Sequence, residues 1–339
     1  MKALRNYLTT TIFLLGFLSI YIIINYEISY PMNIDPQFSQ RIRPRFTAVL
    51  NEEQPELFFL GDSMLAAALD ESVVSEQLSK RVYQASLAGT ASAIWYLIIK
   101  NNIIAADHHP EHMVIFFRDS MMTLPDYRVT GSYFDMVDEL ASPDDTLLIE
   151  RAYINQMSHF ERAMEAYFPF YGGRWNIRES IDHHIRYTLG NHILDCDQTC
   201  MDYSLEIVFI KDILDDTFLS EAIDSADEIL YTKNVLDFEE QVGKSFLPEI
   251  IRLCQENDIQ LVMVRLPILR FVNQETRPSE LDDYIQKLSI YLEENDVTFL
   301  DFDQKEIPAD YFADPLHLNE KGKVLFTQEL VEALKPIIK

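Results

Sequence analysis

Apolar residues in this chain gather into short strand-like runs, unbroken at 57–60 and 113–117, separated by stretches where they recur every three or four positions. The runs lie at 57–60, 81–87, 113–117, 259–266 and 297–302. Runs of this length, rich in Leu, Val, Ile and Phe, suit strands buried on both faces. Helical spacing fills 65–78, 91–105, 242–257, 280–295 and Glu320–Leu334. Strands alternating with helices predict an α/β fold, a three-layer sandwich on a five-stranded parallel sheet with right-handed crossovers. Between about 121 and 240 the alternation breaks into polar, helix-like sequence, which predicts a mostly helical insertion after strand three. Gly322, in the first turn of the last helix, is an unusual residue there and points to close packing.

The N-terminus follows a different pattern. Residues 6–26 carry no charge and include Ile12-Phe13-Leu14-Leu15 and Ile20-Tyr21-Ile22-Ile23-Ile24. At about 1.5 Å per residue such a helix spans the roughly 30 Å hydrocarbon core of a bilayer. Tyr7, Tyr21 and Tyr26 sit near its ends, as interfacial aromatics do. The expectation is a cytoplasmic tip and signal-anchor transmembrane helix over 1–26, with the membrane as a partner. A cleaved signal would need a small-x-small site, which Asn25-Tyr26-Glu27-Ile28-Ser29 does not offer. A buried helix is the third reading. Lys2 and Arg5 favour a cytoplasmic N-terminus and a periplasmic or extracytoplasmic body. Arg41, Arg43 and Arg45, beyond the segment, weaken that asymmetry. Pro31, Pro36 and Pro44 mark 27–50 as a linker, leaving 51–339 as the folded domain.

Composition narrows the partners. The 339 residues include 28 Lys and Arg against 55 Asp and Glu, a formal net charge of −27. Such a surface repels nucleic acid and anionic headgroups at long range, so no nucleic-acid partner is expected. Of three cysteines, Cys196 and Cys200 either close a small disulfide loop or stay free; Cys254 is expected to pack as an apolar residue. His108, His109 and His112 form one group and His183, His184 and His192 another. The first lies in a helix-to-strand loop, at the edge opposite the strand carboxyl ends, the second lacks a two-His-plus-carboxylate helix spacing, and no metal is expected. There is no phosphate loop, no Gly-x-Gly-x-x-Gly and no Gly-x-Ser-x-Gly, and no cofactor is implied.

In parallel sheets, ligands bind beyond the carboxyl ends of the strands. Gly61-Asp62-Ser63 follows the first strand, Gly89 the second, and Arg118-Asp119 the third. Arg265 ends the fourth, and Asp314-Pro315-Leu316-His317 follows the fifth. Alone, Ser63 reads as a helix cap, and His317 as a residue bonded to backbone. On one sheet edge they suggest a nucleophile, a base and a carboxylate that orients the base. Backbone N–H groups of Ser63 and Gly89 are suited to hold an oxyanion.

These motifs resemble the SGNH (GDSL-type) hydrolase superfamily over roughly 55–120 and 255–335. The resemblance implies a flavodoxin-like sheet, Ser63 as nucleophile, His317 as base, Asp314 as its partner and Gly89 as oxyanion donor. One element departs: the family's Asn after strand three is absent from Phe116-Phe117-Arg118-Asp119-Ser120. Arg118 either replaces it as a donor or pairs with Asp119 to shape the loop. The late Asp-x-x-His-Leu-Asn and the N-terminal segment are similar to a membrane-anchored branch that moves acyl groups onto envelope polymers. That branch often works with a multi-spanning membrane acyltransferase as acyl donor.

Three functions follow from the resemblance. The first is transfer of an O-acyl group, with acetyl the expected one, to an envelope or exported polysaccharide through acyl-Ser63. The second is hydrolysis of an acyl ester by an esterase or lipase, and the third an inactive scaffold. Arg265 either binds an anionic part of the substrate or makes a surface salt bridge. The run Tyr167-Phe168-Pro169-Phe170-Tyr171-Gly172-Gly173-Arg174-Trp175 either stacks on sugars or anchors the insertion.

Overall fold

The computed structural model describes residues 42–156 apart from 131, 132 and 143, and 226–338 apart from 270–276, 305 and 306. It also describes positions 16, 158, 160, 163, 167 and 223. Two compact units divide the chain. Ser39–Gln156 with Ser225–Lys339 forms the unit discussed below; Met1–Phe38 with Met157–Asp224 forms the other. Nearly all of the second unit lies outside the described residues. So do the anchor segment, Cys196 and Cys200, and the aromatic run beyond the exposed Tyr167. Among the described residues, no helix is long and apolar enough to cross a membrane.

All five apolar runs form strands: β1 Leu57–Gly61, β2 Val82–Ser86, β3 His112–Phe117, β4 Gln260–Arg265 and β5 Thr298–Asp301. Every pairing is parallel, in the order β2-β1-β3-β4-β5. This is the doubly wound, flavodoxin-like order, with its switch point between β1 and β3. Every residue of β1 and β3 is buried, because helices cover both faces of these strands.

Strand alternation sorts the core into two layers. Phe58, Leu60, Met113, Ile115 and Met263 pack on one face with Trp95, Ile250 and Leu288. Leu57, Phe59, Val114, Phe116 and Val264 pack on the other with Leu65, Phe326 and Leu330. Cys254 lies in the first layer, where burial pushes its thiol up to about 12.

The structure redraws several boundaries. The expected helix at 65–78 is two helices, α2 Ser63–Ala68 and α3 Glu71–Leu78. Asp70 causes the break: its carboxylate accepts from Ser72 and Val73 N–H, capping α3. The expected linker 27–50 ends in a helix, α1 Ile42–Ala48, running into a π-turn at Val49–Glu53. Phe46 is buried with ring centroids 6.0 Å from Phe58 and 6.4 Å from Tyr83. Phe46, Val49 and Leu50 keep the i, i+3, i+4 spacing of a buried stripe, which the preceding Pro44 obscured.

The expected insertion is narrower than 121–240. Met121, Met122, Val129, Leu140 and Leu148 join the same apolar layer as the sheet, as do Ala226 and Leu230. Further helices among the described residues include α4 Ser92–Ile98, α5 Phe134–Leu140, α6 Phe238–Val242, α7 Leu247–Glu256, α8 Ser279–Glu294 and α9 Glu320–Leu334.

Gly322 opens α9 where the expected close packing is found. A Cβ there would meet the Tyr311 carbonyl oxygen at 2.3 Å and Leu318 Cδ2 at 2.9 Å. Backbone oxygen cannot retreat as a side chain can. Gly322→Ala is therefore expected to lower stability by about 1–3 kcal/mol in urea titration, despite alanine's better helix propensity.

Candidate active site

Ser63 sits at the switch point of the sheet, two residues past the Gly61–Ser86 pair that ends the β1–β2 register. Asp62 is extended and caps α2, its Oδ1 accepting from Met64 N–H at 2.9 Å. Ser63 is thus the first helical residue, and its N–H has no intrahelical acceptor. A Cβ on Gly61 would meet Leu65 Cβ at 2.9 Å and Phe116 Cβ at 3.2 Å. A larger residue there would push α2, and Ser63 with it, off the sheet.

The Asp314–His317 turn organises itself. Asp314 Oδ1 accepts from the N–H groups of Leu316 at 2.8 Å and His317 at 2.9 Å. Its Oδ2 is 2.8 Å from His317 Nδ1. The turn is closed by Ala313 N–H donating to His317 O at 2.8 Å and Asn319 N–H to Tyr311 O at 2.9 Å. With Nδ1 donating to the carboxylate, His317 Nε2 is left as acceptor. It stands 2.9 Å from Ser63 Oγ, across 254 residues of chain.

Burial by itself would raise the Asp314 carboxyl. Hydrogen bonds from the His317 ring and from Leu316 and His317 N–H outweigh it and hold the pKa below the ordinary 3.8. A carboxyl depressed in the folded state stabilises the fold fully above its unfolded value and loses that contribution as pH falls through its folded value. The stability difference between wild type and Asp314→Asn is therefore expected to shrink as pH falls from about 5 to 3. Urea midpoints across that range measure it.

Gly89 lies in the Leu87–Thr90 turn, tied to the end of β1 by Leu87 N–H donating to Gly61 O at 3.0 Å. Its φ is +73°, a conformation that glycine adopts without penalty. Among the described residues no hydrogen bond engages its N–H. The turn is braced from below by Trp95 Nε1 donating to Thr90 Oγ1 at 2.9 Å.

The structure corrects the readings of Arg118 and Arg265. Arg118 is 3% exposed, and its Nη1 donates to Asp227 Oδ1 at 3.3 Å. It makes no salt bridge with its neighbour Asp119 among the pairs described. Arg265 is 1% exposed and neither touches solvent nor makes a surface salt bridge. Its Nε donates to Asp119 Oδ1 at 2.7 Å, and its Nη groups reach Asp303 at 2.7 Å and Asp301 at 3.2 Å. Burial opposes its charge, but the three carboxylates keep it firmly protonated. Arg265 is the hub joining the ends of β3, β4 and β5. Tyr231 adds a hydrogen bond to Asp119 Oδ2, and burial with that carboxylate raises its hydroxyl far above the usual range.

Two residues that sequence reasoning passed over lie beside the site. Arg128 has its Cζ 4.9 Å from the Tyr127 ring centroid and 5.5 Å from that of Tyr133. The Tyr133 hydroxyl lies 2.5 Å from where a Gly89 Cβ would be. Both residues fall in the segment read as insertion. The only local signal is a Pro125-Asp126 turn pair followed by a basic residue.

One family model matches residues 221–339, the part that carries β4, β5, Asp314 and His317. No curated protein matches the sequence. Among solved structures, a GDSL-like lipase from Bacteroides thetaiotaomicron is 11% identical, with 88% of this chain and 99% of that chain covered and a TM-score of 0.39. A family two carbohydrate esterase from Clostridium thermocellum, in complex with cellohexaose, is 9% identical. There 83% of this chain and 64% of that chain are covered, with a TM-score of 0.37.

Proposed function

We propose that this chain is an SGNH-type serine enzyme that passes an O-acyl group through Ser63 to a hydroxyl of an envelope or exported polysaccharide. The observation that carries the reading is the unbroken hydrogen-bond chain from Ser63 Oγ through both ring nitrogens of His317 to Asp314, at 2.9 and 2.8 Å. Ser63 Oγ attacks the acyl carbonyl carbon while its proton passes to His317 Nε2. Asp314 faces the positive charge forming on the ring. The oxyanion is placed to accept from the N–H groups of Ser63 and Gly89. As the bond to the departing alcohol breaks, His317 returns the proton to that oxygen. A second hydroxyl then gives its proton to His317 and attacks acyl-Ser63; as the acyl–serine bond breaks, His317 passes the proton to Ser63 Oγ and the new ester leaves. None of these steps calls for a cofactor.

Water in place of the second hydroxyl makes the same site an esterase. The transferase reading draws on the uncharged segment 6–26, taken as an anchor holding the domain outside the membrane, where a multi-spanning acyltransferase can supply the acyl group. It draws also on the aromatic run at 167–175, suited to stacking on sugars.

The test uses the full chain in detergent with an aryl acetate, with and without an oligosaccharide acceptor. Ser63-dependent acetylation of the oligosaccharide is expected. Hydrolysis that added acceptor leaves unchanged, with no acetylated sugar, assigns the esterase reading instead. Failure of a fluorophosphonate probe to label wild type more than Ser63→Ala assigns the scaffold.

A further inference from the structure

We propose that Arg128 forms an anion-binding subsite beside Ser63, so that the substrate carries a carboxylate or similar anionic oxygen group close to the reacting acyl group. The inference rests on the acyl-Ser63 reading and adds to it the charge of the substrate.

Two independent links place Arg128 at the site. One runs through contacts: its guanidinium lies over the Tyr133 ring, whose hydroxyl lies over Gly89 in the turn bonded to Gly61. The other runs through charge: Arg128 is the first of the cations that oppose the upward push of burial on the Asp62 carboxyl, next to Ser63. Arg118 and His317 follow it in that effect.

Its chemistry differs from that of the other arginines here. Arg118 and Arg265 are buried and turned onto carboxylates. Arg128 is partly exposed, and its described contacts are the two tyrosine rings rather than an acid. Rings packed against a guanidinium leave its N–H edge free, the edge that takes a carboxylate in a two-pronged hydrogen bond. They also fix its orientation, so less freedom is lost on binding. The backbone is strained to present it: Arg128 has φ +58°, in the left-handed region that side chains other than glycine rarely occupy. Strain of this kind persists where the surrounding structure imposes it, and it gathers at binding sites. In a chain of net charge −27, an anionic substrate is repelled at long range and needs a local cation to be held.

The test compares two matched pairs of aryl esters on the full chain. In one pair, p-nitrophenyl acetate and p-nitrophenyl hemisuccinate, the carboxylate is on the acyl side. In the other, methyl p-acetoxybenzoate and p-acetoxybenzoate, it is on the leaving side. Each rate is divided by that of the ester's hydroxide hydrolysis. Wild type is expected to favour the charged member of at least one pair by about tenfold or more in kcat/KM, through KM, and less at high salt. Arg128→Gln is expected to abolish the preference and Arg128→Lys to keep part of it. The ratio is taken within each variant, so a shared loss from misfolding cancels.

Three outcomes overturn the subsite: no charge preference in wild type, a preference that survives Arg128→Gln, or an equal fall for both members of a pair. All three leave the Ser63 reading standing. Absence of Ser63-dependent turnover of all the esters overturns that reading, and this inference with it.

Discussion

Replacing Ser63 by alanine is expected to abolish acyl-enzyme formation and to lower ester turnover by roughly 10⁴–10⁶-fold. His317→Ala is expected to fall as far, because the two groups act as one device. Without the imidazole, the serine hydroxyl stays protonated; without the hydroxyl, the imidazole has nothing to activate. The double variant should therefore be little worse than either single one. Asp314→Asn is expected to cost roughly 10³–10⁴-fold. The amide can still accept from Leu316 and His317 N–H, where Asp314 Oδ1 now does. It can also donate toward His317 Nδ1, which favours the wrong tautomer and offers no charge to the imidazolium. Burst kinetics with a chromogenic ester separate acylation from deacylation. A Ser63→Ala protein that keeps more than about a hundredth of wild-type turnover would remove Ser63 from the mechanism.

The second large effect falls on stability. Arg265→Met is expected to destabilise the domain by about 3–5 kcal/mol, shifting the urea midpoint sharply downward. The arginine is 1% exposed and faces Asp119, Asp301 and Asp303, of which Asp119 is also 1% exposed. Removing it strands carboxylates in a poorly hydrated interior, each repelling the others. Asp119→Ala should cost less, since Arg265 keeps Asp301 and Asp303. Asp301→Ala should cost least, because Asp301 is 10% exposed and lies farthest from the guanidinium, at 3.2 Å. Arg265 ranks first because its loss leaves carboxylates uncompensated, and Asp119 ranks above Asp301 because it is more buried and closer to the guanidinium. A different order would mean that packing, not charge, dominates at this hub. The hub also ties the ends of β3, β4 and β5 together, so its loss should loosen the site's floor.

Much of the fold was legible because burial on both faces writes the central strands β1 and β3 as apolar runs that need no context, and the flanking strands still lie in mainly apolar stretches. Each of the five strands lies within the run that predicted it or exceeds it by one residue. Helices were less sharply bounded. Asp70 cut one in two through a side-chain cap, and Pro44 hid the buried stripe of Phe46, Val49 and Leu50. For the site, the placing of Ser63, Asp314 and His317 beyond strand ends was legible, since parallel topology sends all strand ends to one edge. Their hydrogen-bond distances were not, because those depend on how the turn after β5 folds back toward β1. The charged residues were least legible. Arg118 and Asp119 are adjacent in sequence yet pair elsewhere, with Asp227 and Arg265.

The chain by itself determined the alternation of strands and helices and the local turn in which Asp314 holds His317. These depend on neighbours a few residues away, whose spacing the sequence states directly. The tertiary structure alone decided which charges neutralise each other, that Tyr133 lies over Gly89, and that Arg128 packs against two tyrosine rings. Partner choice among charges depends on distance and burial, and both are set only when remote segments pack together.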